Sequence, residues 1–313
     1  MRTDAASGPG LPEVIRRSTA YLERHGVEGA RANVEILLMH LLGVDRANLY
    51  ARTGGLDTAT ARALGRAMCQ RCAGVPLQHL TGEQAFCGLT LRVEPGVFVP
   101  RPETEALVEA TLAALDGGPI REPIVVDVGT GTGAIALAVA NARPDARVYA
   151  TDRSPRAVRL ARENARSLDL ERVTVLEGDL VEPLPMELEG RVDALVSNPP
   201  YVAANAVADL PPEVRADPVD ALVGGTEVHA RLAAAAWRWF RPGGWLLVEI
   251  GDDQGDEVRS ILLRAGFESV RVLPDLTGRD RIVRGSRPAG TGTRAVSGGG
   301  SMDPSDPTPS PSR

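Results

Sequence analysis

The fold is decided between Ile124 and Ala142, where the chain reads IVVDVGTGTGAIALAVANA. An apolar run broken only by Asp127 has the length of a buried strand. Gly129, Gly131 and Gly133 follow at alternate positions, and an apolar stretch of helical length follows them. A strand that turns through glycines into a helix is the opening unit of an open parallel sheet. The glycines allow a tight turn, and they leave no Cβ between the backbone and a ligand lying on it.

Reading outward, strand-like and helix-like runs alternate. ARVYATD, RVTVLEGD and VDALVSNPP read as strands and SPRAVRLARENARSLD as a helix. Downstream come a helix from Thr226 to about Phe240, a strand at GGWLLVEIG, a helix to about Ala265, and strands at SVRVLPD and DRIVRG. This order predicts an α/β fold with a Rossmann-like sheet and helices on both faces. Upstream, Leu11 to about Ala73 carries three segments with apolar residues at three-to-four spacing, a small N-terminal helical bundle. His79 to Val99 changes to glycines, β-branched residues and short alternations, a β-hairpin linker. The predicted organisation is a helical domain over 1–75, a linker over 76–101, the sheet domain over 102–285, and a tail over 286–313. The tail is rich in Gly, Ser, Pro and Thr and too poor in apolar residues to offset its ordering entropy, so disorder is expected there.

The formal charge is -6 and all 35 basic residues are arginine. That balance argues against a broad phosphate-binding surface, so no direct nucleic-acid binding is expected. No run reaches the roughly 18 apolar residues of a membrane span. Cys69, Cys72 and Cys87 make no secreted disulfide framework, which fits a reducing cytoplasm. Cys69 and Cys72 are spaced C-x-x-C without a second pair, and read as helix-face residues and not as metal ligands. No metal is expected.

The glycine loop is G-x-G-x-G, not the G-x-G-x-x-G of pyrophosphate binding. Asp152 ends the next strand about twenty residues on, where a carboxylate can accept from ribose hydroxyls. Asp179, in EGDL, is read as the end of the third strand. Acids without lysine or arginine in the loop suit a neutral or cationic nucleoside better than a polyphosphate, and S-adenosylmethionine, a sulfonium, fits.

Val196 to Val202 reads VSNPPYV. Two prolines remove backbone donors and fix φ, so a strand ends here in a rigid loop. A planar NH2 conjugated to a carbonyl or ring is a poor nucleophile because its lone pair is delocalised. The Asn198 side-chain oxygen and the Pro199 carbonyl can hold its two hydrogens, and Tyr201 can pack on its planar face. Such a loop would act by positioning, with no required general base.

With these features in chain order, the sequence resembles the protein-(glutamine-N5) methyltransferases that modify peptide chain release factors. The resemblance runs from about Leu11 to Arg284 and rests on PLQHLTGEQAFCGL, VFVPRPETEALV, DVGTGTGAIALA, ATDRSPRAV, SNPPYV, RPGGWLLVEIGDDQG and DLTGRDRIV. It implies a class I methyltransferase sheet whose last strand is antiparallel, and a helical domain that helps grip the release factor. S-adenosylmethionine is the implied donor, leaving as S-adenosylhomocysteine, and the glutamine of a Gly-Gly-Gln loop is the implied acceptor. Carried over by residue, Gly129, Thr130, Gly131, Gly133, Asp152, Asp179 and Asn198 border the donor. Asn198, Pro199, Pro200 and Tyr201, with Arg101 and Glu103, border the acceptor; Asn198, Pro199 and Tyr201 carry the chemistry. His79 stands where the family often has tyrosine and is read as a packed hairpin residue. A cytoplasmic monomer acting on class I release factors is the implied whole.

Two other acceptors use the same loop chemistry: a glutamine of a ribosomal protein, and the amino group of adenine. PRPETE favours the release factor over the first. Acidic balance and 4% aromatic residues count against the second, since flipping a base needs a basic groove and stacking rings. A non-catalytic adaptor would have no physical reason to keep both loops.

Overall fold

The computed structural model describes residues 9–116 and 121–289. The chain begins with helices α1 (Leu11–Arg24), α2 (Ala30–Leu42), α3 (Arg46–Ala51), α4 (Thr58–Cys72) and α5 (Leu77–Thr81), followed by a hairpin of β1 (Glu83–Phe86) and β2 (Leu89–Arg92). Helix α6 (Glu105–Asp116) leads to β3 (Ile124–Val128), α7 (Ala134–Ala142), β4 (Arg147–Asp152), α8 (Pro155–Ser167), β5 (Thr174–Glu177) and β6 (Val192–Ser197). Then come α9 (Val219–Leu222), α10 (Glu227–Ala236), β7 (Phe240–Glu249), α11 (Gly255–Arg264), β8 (Glu268–Pro274) and β9 (Asp280–Ser286).

Local chemistry sets the helices of the bundle. Asp57 caps α4 by accepting from the amides of Ala59 and Thr60, and left-handed Gly29 and Gly43 bound α2. Leu11, Ile15 and Leu22 of α1 recur on one face and pack with Leu37 and Leu38 of α2 and Leu64 of α4. Cys69 and Cys72 lie on α4 as free thiols. Short helices α3 and α5 are additions to the sequence reading. His79 lies on α5, not in the hairpin, with Nε2 buried and unpartnered; the helix starts after Pro76 and stops at left-handed Gly82.

The seven-stranded sheet has the order β5-β4-β3-β6-β7-β9-β8. Strands β3 to β7 run parallel, and β9 is antiparallel to both its neighbours. Every residue of β3 and of β6 is buried, as expected for strands covered on both faces. Val125 faces α6, α7 and α8, while Ile124 and Val126 face α10 and α11, the two-residue alternation of a strand. Among the described residues no helix is long and apolar enough to cross a membrane.

Two boundaries differ from the sequence reading. The helix from Thr226 stops at Ala236, a 3-10 turn follows, and Phe240 opens β7. Phe240 is buried against the sheet and pairs with Val192, and the register then shifts before Trp245 pairs with Ala194. Arg241-Pro-Gly-Gly244 occupies that irregularity, where a proline and two glycines are tolerated. Ser286, assigned to the tail, ends β9 opposite Trp245, and the Arg287 amide donates to the Gly244 carbonyl at 2.8 Å. The expected disorder of the remaining tail, from 290 on, lies outside the described residues.

Candidate active site

The strand order reverses between β3 and β6, so the carboxyl edge there forms the crevice of an open α/β sheet. Register places the site in one row. Thr151, Val128, Ser197 and Val248 are paired across β4, β3, β6 and β7. The next residue on each strand is therefore Asp152, Gly129, Asn198 and Glu249, side by side at that edge. The Ser197 hydroxyl donates to the Val128 carbonyl at 2.7 Å, tying the two central strands together just below the row.

The glycine loop is wound from its own backbone. Gly129, Gly131 and Gly133 have φ of 74°, 56° and 86°, values that L side chains rarely adopt. A Cβ on Gly129 or Gly131 would meet nothing within 4 Å, so open space lies over both. Gly133 differs: a Cβ there would fall 3.1 Å from Leu137 and 3.3 Å from Ala161, so its bareness serves helix packing. The Thr130 hydroxyl turns inward to Asp127 Oδ2 at 2.6 Å, and that oxygen also accepts from the Ala136 amide at 3.1 Å. Asp127 is fully buried, and burial pushes its carboxyl up to about 7 against those two hydrogen bonds.

Asp152 accepts from the Gly131 amide on one oxygen and the Ser154 amide on the other, each at 2.8 Å. Burial raises its pKa while both amides oppose the shift. Each oxygen keeps a second lone pair for a ligand hydroxyl. Asp179 lies two residues beyond β5, not at its end, and its half-buried side chain pairs at 2.8 Å with the exposed Arg231.

The Asn198-Pro-Pro-Tyr201 loop is held by distant residues. Asn198 Nδ2 donates to Thr104 Oγ1 at 3.1 Å, which leaves its Oδ1 for another partner. Pro199 is buried, and Asn198, Pro200 and Tyr201 are half-buried. The Tyr201 hydroxyl donates to Glu249 Oε1 at 3.3 Å, and the Tyr201 carbonyl accepts from Gln254 Nε2 at 2.9 Å. Burial together with the neighbouring Glu249 charge pushes the Tyr201 hydroxyl up. Burial also raises Glu249 to about 7, opposed by the Thr104 hydroxyl, the Arg281 charge and the Tyr201 hydroxyl. From the other side Gly224 closes on the loop: a Cβ there would fall 2.1 Å from the Pro200 carbonyl oxygen.

Arg101 and Glu103 take different directions. Arg101 pairs with the buried carboxylate of Asp217, which also accepts from the Val99 amide at 3.2 Å. Glu103 is exposed, and Glu105 accepts from the Cys87 amide at the hairpin turn at 2.9 Å. The residue between them, Thr104, is the one that reaches Asn198. Thr104, Asp217, Gly224, Glu249 and Gln254 are site residues the motif reading missed. Glu249 had a signal, a carboxylate closing the otherwise apolar WLLVE run; Thr104 had none.

Two family models match the chain: the PrmC N-terminal domain over residues 13–82 and the Methyltransferase small domain over residues 88–214. The release factor glutamine methyltransferase of Moorella thermoacetica is 45% identical over 87% of this chain and 95% of its own. That of Mycolicibacterium smegmatis is 42% identical over 88% of this chain and 98% of its own. Among solved structures, the hMettl16 catalytic domain in complex with MAT2A 3'UTR hairpin 6 superposes with a TM-score of 0.51 at 16% identity, covering 71% of this chain and 82% of that one. That last likeness bears on the fold alone.

Proposed function

The chain belongs to the release factor glutamine methyltransferase family, and we infer from that premise that it transfers a methyl group from S-adenosylmethionine to the side-chain amide nitrogen of the Gly-Gly-Gln glutamine in class I release factors. The observation that carries the reading is the row at the sheet edge, where Gly129 and Asp152 adjoin an Asn198 whose oxygen is uncommitted. The residues fit the donor: open space lies over Gly129 and Gly131, and Asp152 holds spare lone pairs for ribose hydroxyls. When bound, S-adenosylmethionine supplies an electrophilic methyl on a sulfonium.

The chain's own residues position the acceptor. Asn198 Oδ1 and the Pro199 carbonyl each take one hydrogen of the glutamine NH2, which turns the nitrogen lone pair toward the donor side of the row. Pro199 and Pro200 fix these acceptors because their φ values are locked. Tyr201 covers the planar amide. An alkylated amide nitrogen is strongly acidic and yields its extra proton to water, so no side chain is assigned as base, and positioning provides the catalysis.

Net charge of -6 supports a protein acceptor over a nucleic acid. Within this reading residues 1–75 grip the release factor, and 76–101 link them to the catalytic sheet. Arg71 of α4 pairs with Glu213, in the segment that follows the acceptor loop, which supports communication between grip and site. The test is mass spectrometry of a release factor after incubation with the protein and S-adenosylmethionine. One added methyl on the Gly-Gly-Gln glutamine, absent when that glutamine is alanine, is the expected result. An unmodified glutamine with donor binding intact would contradict the acceptor.

A further inference from the structure

Two prolines leave one joint in the acceptor loop. Each fixes its own φ, and a residue that precedes a proline is confined to extended ψ, which covers Asn198 and Pro199. Pro200 precedes Tyr201, so its ψ is the first free rotation in the loop. Turning about it leaves Asn198 and the Pro199 carbonyl in place and swings Tyr201, the ring that covers the acceptor amide in the reading above.

The peptide unit that stops this swing is the one after the ring. Its N–H, from Val202, donates to the Leu222 carbonyl at 2.8 Å, and its carbonyl, from Tyr201, accepts from Gln254 Nε2 at 2.9 Å. A peptide plane held at both polar ends is fixed in direction; held at the N–H alone, it is free to turn about that bond. Gln254 is itself held in one orientation. Its Oε1 accepts from the Gly251 amide at 2.9 Å, a group that can only donate, while the Tyr201 carbonyl can only accept. Turned over, the side-chain amide would lose both bonds. Gly251 leaves room for this contact, since a Cβ there would press on Gln254 Oε1 at 3.2 Å. The placement also argues against a purely local task. Gln254 occupies the N-cap of α11, where a short polar side chain ordinarily accepts from the first helical amides, and its side chain makes no such bond. It reaches across 53 residues to the loop instead.

We propose that Gln254 is a positioning residue: from the start of α11 it holds the peptide between Tyr201 and Val202, and so sets the Tyr201 ring against the acceptor amide. Its role runs through Tyr201, not through contact with the reacting atoms. The inference rests on the function proposed above, since it assumes an acceptor with a planar amide.

The test is a double-mutant cycle in single-turnover and steady-state methylation of a release factor. It compares wild type, Gln254→Met, Gln254→Glu, Tyr201→Ala, and Gln254→Met combined with Tyr201→Ala, with S-adenosylhomocysteine affinity by calorimetry on each. Methionine keeps the length and has no hydrogen to give. Glutamate keeps the shape and the Gly251 contact, but when ionised it offers the Tyr201 carbonyl no hydrogen. Each Gln254 variant should lose about 10-fold or more in kcat, with cofactor-product affinity within about twofold of wild type. In the Tyr201→Ala background, Gln254→Met should cost no more than about a further threefold, because the ring it places is gone. A further loss as large as the one seen with Tyr201 present would overturn the proposal, since a role in starting α11 does not depend on the ring. Either single Gln254 variant turning over within about threefold of wild type would also overturn it, as would cofactor-product affinity falling in step with kcat. A wild type that binds S-adenosylhomocysteine but leaves the release factor unmodified would instead overturn the acceptor assignment beneath it.

Discussion

The two halves of the site are built differently. On the donor side the contacts are short-range and mostly backbone: Thr130 and Ala136 bond Asp127 three and nine positions away, and Gly131 bonds Asp152 across 21. On the acceptor side they are long-range and mostly side chain. Asn198 reaches Thr104 across 94 residues, Tyr201 reaches Glu249 across 48, and Gln254 reaches Tyr201 across 53. The donor half is thus a property of one strand-turn-helix unit and the strand beside it. The acceptor half exists only after β3, β6 and β7 have paired and α6 has docked. Substitutions should separate accordingly, with donor-side changes read in cofactor affinity and acceptor-side changes in turnover.

The sharpest way to separate them is Gly224→Ala. The new Cβ would lie 2.1 Å from the Pro200 carbonyl oxygen and 2.8 Å from Val228, so the acceptor loop must shift. A displacement of that kind costs about 100-fold in kcat, with S-adenosylhomocysteine affinity unchanged in calorimetry. Next in size is Asp152→Asn, which removes a charge and one of two backbone acceptors. Donor affinity should weaken about 10-fold or more, while kcat at saturating donor changes little. Equal losses in both quantities would break the comparison.

Gly133→Ala tests the part of the loop that serves packing. Its Cβ would press on Leu137 and Ala161 at φ 86°, so urea unfolding should report a loss of about 1–3 kcal/mol in a variant that still binds donor. The smallest effect is a pH slope. Asp127 titrates near 3.8 in an unfolded chain and near 7 when folded, because burial disfavours its charge. Between those values the folded state holds more protons than the unfolded one, so stability from this group is present below about 4 and falls as pH rises through about 7. Asp127→Asn cannot ionise, and its melting temperature should fall less than that of wild type between pH 5 and pH 8.

The sequence carried the donor half and the alternation of strands with helices because their signals are local. Three glycines behind IVVDV and an acid ending ARVYATD specify the turn and the two strands without help from elsewhere. Asn198 to Tyr201 was equally visible as a rigid loop, yet its supports were not. PETE shows two conspicuous carboxylates, and the helical turn sends Glu103 to solvent and Glu105 to the hairpin while inconspicuous Thr104 points inward. Gly224 carries no local signal that the Pro200 carbonyl lies against it. Phe240 and Ser286 were misplaced because strand ends depend on pairing partners, here Val192 and Trp245, that no local pattern names.

The measurement that tests the account most directly is Asn198→Ala, assayed in one preparation for S-adenosylhomocysteine affinity by calorimetry and for methylation of the Gly-Gly-Gln glutamine by mass spectrometry. The account predicts affinity within about threefold of wild type and transfer reduced by about 1,000-fold or more, since that side chain holds one of the two hydrogens that align the amide nitrogen. Transfer within about tenfold of wild type would contradict it.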